Sequence, residues 1–163
     1  MDQVLAAAGT SNVRDYLIMR VLWRTGTRVS ELLNITPAAI EFNNQVVNIT
    51  KAKGGKQRRV LLDDETLVLL SKYISQHNIR EHRPIFGIKR RQVHAIIKKY
   101  GKMAGLDIHP HTFRHSFAIH LVRSGLDLRR VQQLLGHSNL NTTQVYLQFN
   151  DQDLREGYNK IEF

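Results

Sequence analysis

Hydrophobic positions near the start of the chain recur with a helical period. A helix is predicted over about residues 12–25, because apolar side chains fall on one face there and Gly26 can stop it. A short second helix is predicted over residues 28–34, and Pro37 closes it because proline cannot continue a helix. The first part of the chain is therefore expected to be two helices joined by a turn at Gly26.

The pattern then changes to three short, strand-like stretches. The predicted strands cover residues 40–42, 45–50 and 58–62. The turn sequences Asn43-Asn44 and Gly54-Gly55 lie between them, and this spacing predicts a small antiparallel sheet.

The rest of the chain returns to a helical pattern. A helix is predicted from Asp64, and everything after Arg91 is predicted as helices separated by glycine. The separating glycines are Gly101, Gly105, Gly125 and Gly136. The expected fold class is α+β, a mainly helical domain with one small three-stranded antiparallel sheet. Without internal repeats or linkers, we expect one domain over residues 1–163 that ends in a tail at 151–163.

Composition adds a strong positive charge to this picture. The 163 residues include 24 Lys and Arg against 14 Asp and Glu, a formal charge of +10. Such an excess attracts nucleic acid or an anionic membrane surface, although it can also serve solubility alone. The chain has no cysteine, which excludes disulfides and thiolate metal sites. No apolar run approaches the ~20 residues of a membrane span, so we expect a cytoplasmic protein without a membrane partner.

Six polar residues stand in distinctive local sequences that follow one another along the chain. They are Arg28 in Thr-Gly-Thr-Arg-Val-Ser-Glu-Leu, Lys53 in a basic turn, His111 and Arg114 in His-Thr-Phe-Arg, His137 after Leu-Leu-Gly, and Tyr146 in Gly-His-x-x-x-x-Thr-Thr-x-x-Tyr. As an ordered set they resemble the catalytic domain of the tyrosine recombinases, the Xer and phage-integrase family. The resemblance covers about residues 25–146. It implies an enzyme that breaks and rejoins DNA at specific sites through a 3′-phosphotyrosine intermediate, without metal, ATP or other cofactor.

The residue types suit this chemistry. Negative charge develops on a five-coordinate phosphorus, and arginines can stabilise it without a metal because their planar forks match two phosphate oxygens. Arg28 stands at a helix start, and Arg114 lies one helical turn from His111, so that both can reach one phosphate. The resemblance implies that Glu31 braces Arg28, and we expect His115 to pack against or brace the site.

The resemblance assigns the remaining roles. Tyr146 is the expected nucleophile, His111 is the candidate base for its phenol, and His137 is a candidate hydrogen-bond donor to the phosphate. Lys53 lies just before the turn glycine and is the expected acid for the departing 5′ oxygen, with Lys56 as the alternative. Taken singly, these residues would be interpreted as surface cations, a capping histidine or a buried tyrosine.

A second basic region, residues 89–102, contains no acidic residue. Its apolar positions give a helix with a core face, and the opposite basic stripe suits phosphates or the major groove, although such a stripe can also be a solvated surface. Together with the basic turn, the residues expected to contact DNA are Lys51, Lys56, Arg58, Arg91, His94, Lys98 and Lys102.

Two other functions share parts of this pattern. A type IB topoisomerase uses the same chemistry but reseals the original strand, and a DNA-binding regulator could keep the fold without catalysis. All six positions are present and the Xer pattern fits best, which favours the recombinase. The expected partners are double-stranded DNA and other protomers in a DNA-bound synaptic tetramer, with no small-molecule substrate.

The two ends of the chain carry further expectations. Relatives usually have an N-terminal core-binding domain that clamps DNA, and we expect it to be absent here, as in an isolated catalytic domain or a naturally minimal protein. In the tail, Leu154, Tyr158 and Ile161 fall at helical spacing. This stripe can pack on its own domain or, as the resemblance favours, on a neighbouring protomer.

Overall fold

The computed structural model describes residues 1–49 and 57–136. The predictions for Lys51, Lys53, Lys56, His137 and Tyr146 lie outside these ranges, as do those for the Gly54-Gly55 turn and the tail. Within the described ranges, no helix is both long and apolar enough to cross a membrane.

The described elements alternate helices with one group of strands. In chain order they are α1 Asp2–Gly9, α2 Val13–Thr25, α3 Val29–Leu32, β1 Ile40–Glu41, β2 Val46–Ile49, β3 Arg58–Leu61, α4 Asp64–Gln76, α5 Arg90–Met103, α6 Pro110–Arg123 and α7 Leu128–Leu135. The predicted fold class is confirmed. Helix α1 was not predicted from the sequence. Its apolar pattern is short, and the helix is stabilised by packing against α2 and α5.

Helix α2 is central to the fold, and its ends follow the sequence signals closely. Asn12 caps it by accepting a hydrogen bond from the backbone N–H of Asp15 at 3.0 Å. Gly26 ends it in the left-handed region at φ 60°, and its N–H donates to the Leu22 carbonyl. A methyl group at Gly26 would lie 2.4 Å from the Phe117 ring, so glycine also lets α6 approach this turn. Glycine at this turn therefore allows α2 and α6 to pack closely together.

The three strands form an antiparallel sheet in the order β1-β2-β3. In the β2–β3 pair, Val47 lies opposite Val60 and both are buried. Because strand side chains alternate between faces, Arg58 shares the inner face of Val60, whereas Arg59 and Leu61 face outward. The sheet thus presents one of two adjacent arginines to the protein interior.

A buried ion-pair network joins α2 to the start of α4. The Arg20 guanidinium is only 5% exposed and donates hydrogen bonds to Thr66 Oγ1 at 2.7 Å, Asp63 Oδ1 at 2.9 Å and Glu65 Oε2 at 2.7 Å. It also donates to the Tyr16 hydroxyl at 2.6 Å. A buried arginine is tolerated only when its donors find such partners. This network therefore fixes α4 against the central helix.

The prediction that Gly101 separates two helices is wrong, because Gly101 lies inside α5. The chain after α5 folds back over this residue. A methyl group at position 101 would come within 2.6 Å of Ile108 Cγ1 and 2.9 Å of the Leu106 carbonyl oxygen. Glycine is needed there for close packing rather than for a turn, and the packing directs the chain into α6.

Substituting Gly101→Ala should lower the free energy of unfolding by about 1–3 kcal/mol, because backbone and a packed side chain must move to admit the methyl group. Gly9→Ala is the matched control, since its methyl group would meet Tyr16 at an ordinary 3.6 Å. The control should leave stability unchanged or raise it by up to about 1 kcal/mol. Urea unfolding of both variants measures the difference, and equal effects would contradict the packing argument.

Candidate active site

The first turns of three helices meet at one open pocket. Its lining residues are Thr27, Arg28, Val29 and Ser30 around the start of α3, Arg90 and His94 from α5, and Pro110, His111 and Arg114 from α6. These lining residues include three arginines and two histidines but no carboxylate. Helix N-termini add unpaired N–H groups and a positive dipole end. The pocket is therefore suited to a phosphate or another anion, and it brings together the predicted residues Arg28, His111 and Arg114.

Arg114 is held rigidly by main-chain carbonyl groups. It is 6% exposed, and its two terminal nitrogens donate to the carbonyl oxygen of Gly26 at 2.7 Å and to that of Leu135 at 2.6 Å. Gly26 ends α2 and Leu135 is the last residue of α7. The same side chain thus lines the pocket and ties together the turn before Arg28 and the end of the helix before His137.

Glu31 contacts both the backbone and the side chain of Arg28, which fits the bracing role that the family resemblance implies for it. One carboxylate oxygen accepts the backbone N–H of Arg28 at 2.7 Å, and the other accepts Arg28 Nη1 at 3.1 Å. The Arg28 side chain remains 45% exposed at the pocket. Burial would raise the pKa of Glu31, but hydrogen bonds from Arg58 and from the Arg28 backbone, with both positive charges, lower it to about 2. Glu31 is therefore ionised throughout the neutral range.

The expectation that Arg58 contacts DNA is corrected by its environment. Its side chain is 8% exposed and forms a two-pronged ion pair with Glu31, with both N–O distances at 2.8 Å. Its Nε donates to the Leu134 carbonyl at 2.9 Å. Alternation along β3 could have revealed this, because Arg58 lies two residues before the buried Val60. Within the described residues, Arg58 is an internal brace.

His111 follows Pro110 at the beginning of α6, as predicted. Partial burial lowers its pKa below the usual 6.5, and the charges of His109, Arg114, Arg90 and His94 lower it further. Its ring is therefore mainly neutral at pH 7 and can accept a proton.

Arg90 is a charged residue of the pocket that sequence reasoning did not assign to it. It opens α5 and lines the same pocket as the three predicted residues. The available signal was its place in the acid-free segment 89–102, but the sequence did not reveal which cations of that segment turn towards Arg28. His94, predicted to contact DNA, also lines the pocket.

The remaining predicted residues of α5 lie on its solvent side. Arg91, Lys98 and Lys102 are exposed, and the apolar positions of the helix are buried as expected. His115 is also exposed, one position after Arg114 on α6. Its bracing role stays a prediction. Among the described residues, no cluster of three or more potential ligands for a metal ion occurs.

The chain resembles known proteins along most of its length. The model of the phage integrase family matches residues 1–153. A tyrosine recombinase of Pseudothermotoga lettingae is 41% identical over 165 residues, covering 98% of this chain and 58% of that protein. The tyrosine recombinase XerA of Pyrococcus horikoshii is 36% identical over 161 residues, covering 93% of this chain and 56% of that protein.

Solved structures show the same similarity. The crystal structure of XerA recombinase superposes with a TM-score of 0.84 at 31% identity, covering 99% of this chain and 63% of that one. The XerH site-specific recombinase bound to its difH substrate gives a TM-score of 0.81 at 25% identity, covering 99% of this chain and 52% of that one. The chain thus spans less than two thirds of the length of each of these relatives.

The charges around His111 lead to a titration experiment. In histidine-labelled protein, NMR should show His111 titrating below pH 6.5, because its cationic form is disfavoured by burial and by neighbouring positive charges. Arg90→Gln removes one of those charges and should raise the pKa of His111. Arg91→Gln, an equal loss of charge one position along α5, should leave it unchanged. The same shift in both variants would show that only net charge matters and that Arg90 does not face His111.

Proposed function

The chain belongs to the phage integrase family, and from this premise we propose that it is the catalytic part of a site-specific tyrosine recombinase. It would cleave and rejoin DNA through a covalent 3′-phosphotyrosine link. The observation that carries the proposal is the convergence of Arg28, His111 and Arg114 on one anion-suited pocket. Names of the relatives support a recombinase, and no observation favours a topoisomerase or a non-catalytic regulator.

The two family arginines are suited to stabilising the charge that develops on the phosphorus. Arg114 is oriented by the carbonyl groups of Gly26 and Leu135, so little reorganisation is needed when an anion forms. Arg28 is anchored to Glu31 by one side-chain nitrogen and keeps an exposed guanidinium at the pocket. We infer that the two side chains contact the non-bridging oxygens of the scissile phosphate.

The proton transfers are assigned to the other family residues. The Tyr146 oxygen would bond to phosphorus as the bond to the 5′ oxygen breaks, and the phenol proton would pass to neutral His111. Lys53 would donate a proton to the departing 5′ oxygen, and His137 would donate a hydrogen bond to the phosphate. A 5′-hydroxyl from a second strand then reverses the step, which conserves the energy of the phosphodiester bond without ATP.

DNA binding in this proposal depends mainly on the basic side of α5. The exposed Arg91, Lys98 and Lys102 can neutralise phosphates, and affinity should therefore fall steeply with salt. The solved XerH neighbour is bound to its difH DNA, which supports a DNA partner here. Strand exchange also needs a second cleaved site, so the proposal includes assembly of several protomers on DNA, with the tail at 151–163 passing between them.

The nucleophile is tested with a suicide duplex, which carries a nick close to the cleavage site. After cleavage, the short fragment with the free 5′-hydroxyl diffuses away, and the covalent complex is trapped. Tyr146→Phe should bind this DNA like the unmodified chain but yield no adduct on a denaturing gel, because only the attacking hydroxyl is lost. A denaturant-stable adduct in the variant would place the nucleophile elsewhere. Absence of an adduct with the unmodified chain, despite binding, would overturn the proposed reaction itself.

The general acid is tested with a 5′-bridging phosphorothiolate, whose sulfur leaves without a proton. Lys53→Ala should cleave ordinary DNA on the order of 100–10,000-fold more slowly, as expected for a lost acid. It should recover to near the unmodified rate on the sulfur substrate. Lys56→Ala is the matched control and should show no selective recovery. Recovery confined to Lys56→Ala would assign the acid to that residue instead.

A further inference from the structure

Arg58 uses all three of its side-chain nitrogens inside the protein. The two terminal nitrogens each lie 2.8 Å from a different oxygen of Glu31, and Nε lies 2.9 Å from the Leu134 carbonyl oxygen. The exposed fraction of the side chain is only 8%, and that of Glu31 is 7%. Its neighbour Arg59 differs, since it is 61% exposed and pairs with Glu41 at the surface. Arg58 is therefore placed to connect parts of the protein rather than to meet a ligand.

The parts that Arg58 connects are those that carry the proposed catalytic residues. Arg58 opens β3, which follows the segment containing Lys53. Glu31 holds both the backbone and the side chain of Arg28. Leu134 belongs to the last turn of α7, immediately before the sequence Gly136-His137. These contacts span 27 and 76 positions of sequence, so the bridge joins segments that local structure leaves independent.

We propose that Arg58 is a positioning residue for strand cleavage. Its side chain holds the start of β3, the Arg28–Glu31 pair and the end of α7 in one relative arrangement. The inference rests on the proposed function. Arg58 would touch neither DNA nor the reacting atoms. It would act through Glu31 on Arg28 and through the Leu134 carbonyl on the path of the chain towards His137.

The geometry explains why this position needs arginine. Only a planar guanidinium can direct the N–H groups of its two terminal nitrogens at one carboxylate while its Nε–H donates to a separate carbonyl group. Lysine keeps the charge and can pair with Glu31, but its single ammonium group cannot occupy both places. The ionised state of Glu31, whose pKa is lowered to about 2, agrees with this close pairing. Arg58→Lys thus separates the charge of the bridge from its shape.

The experiment compares Arg58→Lys and Arg58→Gln with the control Arg59→Gln. Thermal melts first establish a temperature at which each variant is folded. DNA affinity is then measured over a range of salt, and single-turnover adduct formation is measured at saturating suicide DNA. Both Arg58 variants should bind DNA with an unchanged salt slope. Both should react on the order of 100-fold more slowly, because a displacement of about 1 Å in a catalytic group has that effect. Arg59→Gln should react at the unmodified rate.

Three results would overturn the inference. If Arg58→Lys reacted as fast as the unmodified chain, the shape of the bridge would be unimportant. If the Arg58 variants instead lost about 0.9 in the slope of log affinity against log salt, Arg58 would be a phosphate contact. If their slower reaction merely matched the fraction unfolded, the role would be general stability. An unmodified chain that binds DNA but forms no adduct would instead overturn the proposed function, and the positioning role with it.

Discussion

Two buried guanidinium groups hold the last carbonyl groups of α7, and the arrangement of the pocket depends on them. Arg58 binds the carbonyl of Leu134 and Arg114 binds that of Leu135. The final carbonyls of a helix have no partner within the helix, and they carry the negative end of its dipole. Cationic donors from two other elements therefore stabilise this helix end, and they fix its position against α6 and β3.

The guanidinium groups of Arg58 and Arg114 contact different kinds of partner. Glu31 forms a two-pronged ion pair with Arg58, which offsets part of the cost of burying both charges. Arg114 donates to the carbonyl groups of Gly26 and Leu135, which orient its guanidinium at the pocket. Arg58 is therefore suited to structural bridging, whereas Arg114 also lines the pocket. Composition alone does not distinguish the two arginines, because their different roles follow from their partners in the tertiary structure.

The pocket concentrates positive charge, and among the described residues that line it there is no carboxylate, although Glu31 pairs with Arg28 from behind the lining. Arg28, Arg90 and Arg114 line it together with two histidines. Partial burial lowers the pKa of His111, and the positive charges of Arg114 and Arg90 are among those that lower it further. Repulsion between these positive side chains destabilises the folded chain when no ligand is bound. It is typical of a site whose ligand supplies the opposite charge. The hydrophobic core beneath α2, α5 and α6 and the Arg20 network hold the helices in place despite it.

The sequence by itself determined the family, the fold class and most of the local elements, because these depend on short-range signals, although α1 was missed and Gly101 was misplaced. Asn12 and Gly26 marked the ends of α2, and Pro110 marked the start of α6. The apolar period of α5 likewise separated its buried face from its basic face. Such caps, turns and periods are set within a few residues, so a single sequence carries them.

Only the tertiary structure decided the roles that depend on distant partners. Strand alternation can place Arg58 and Arg59 on opposite faces, but only the tertiary structure brings the Glu31 carboxylate to Arg58 and leaves Arg59 at the surface. Gly101 resembled a helix stop until Ile108 was found packed against it, and Arg90 resembled other surface cations until its helix was found beside Arg28. In each case the deciding neighbour comes from another element. No local pattern specifies that neighbour, because long-range contacts are fixed by how the elements pack.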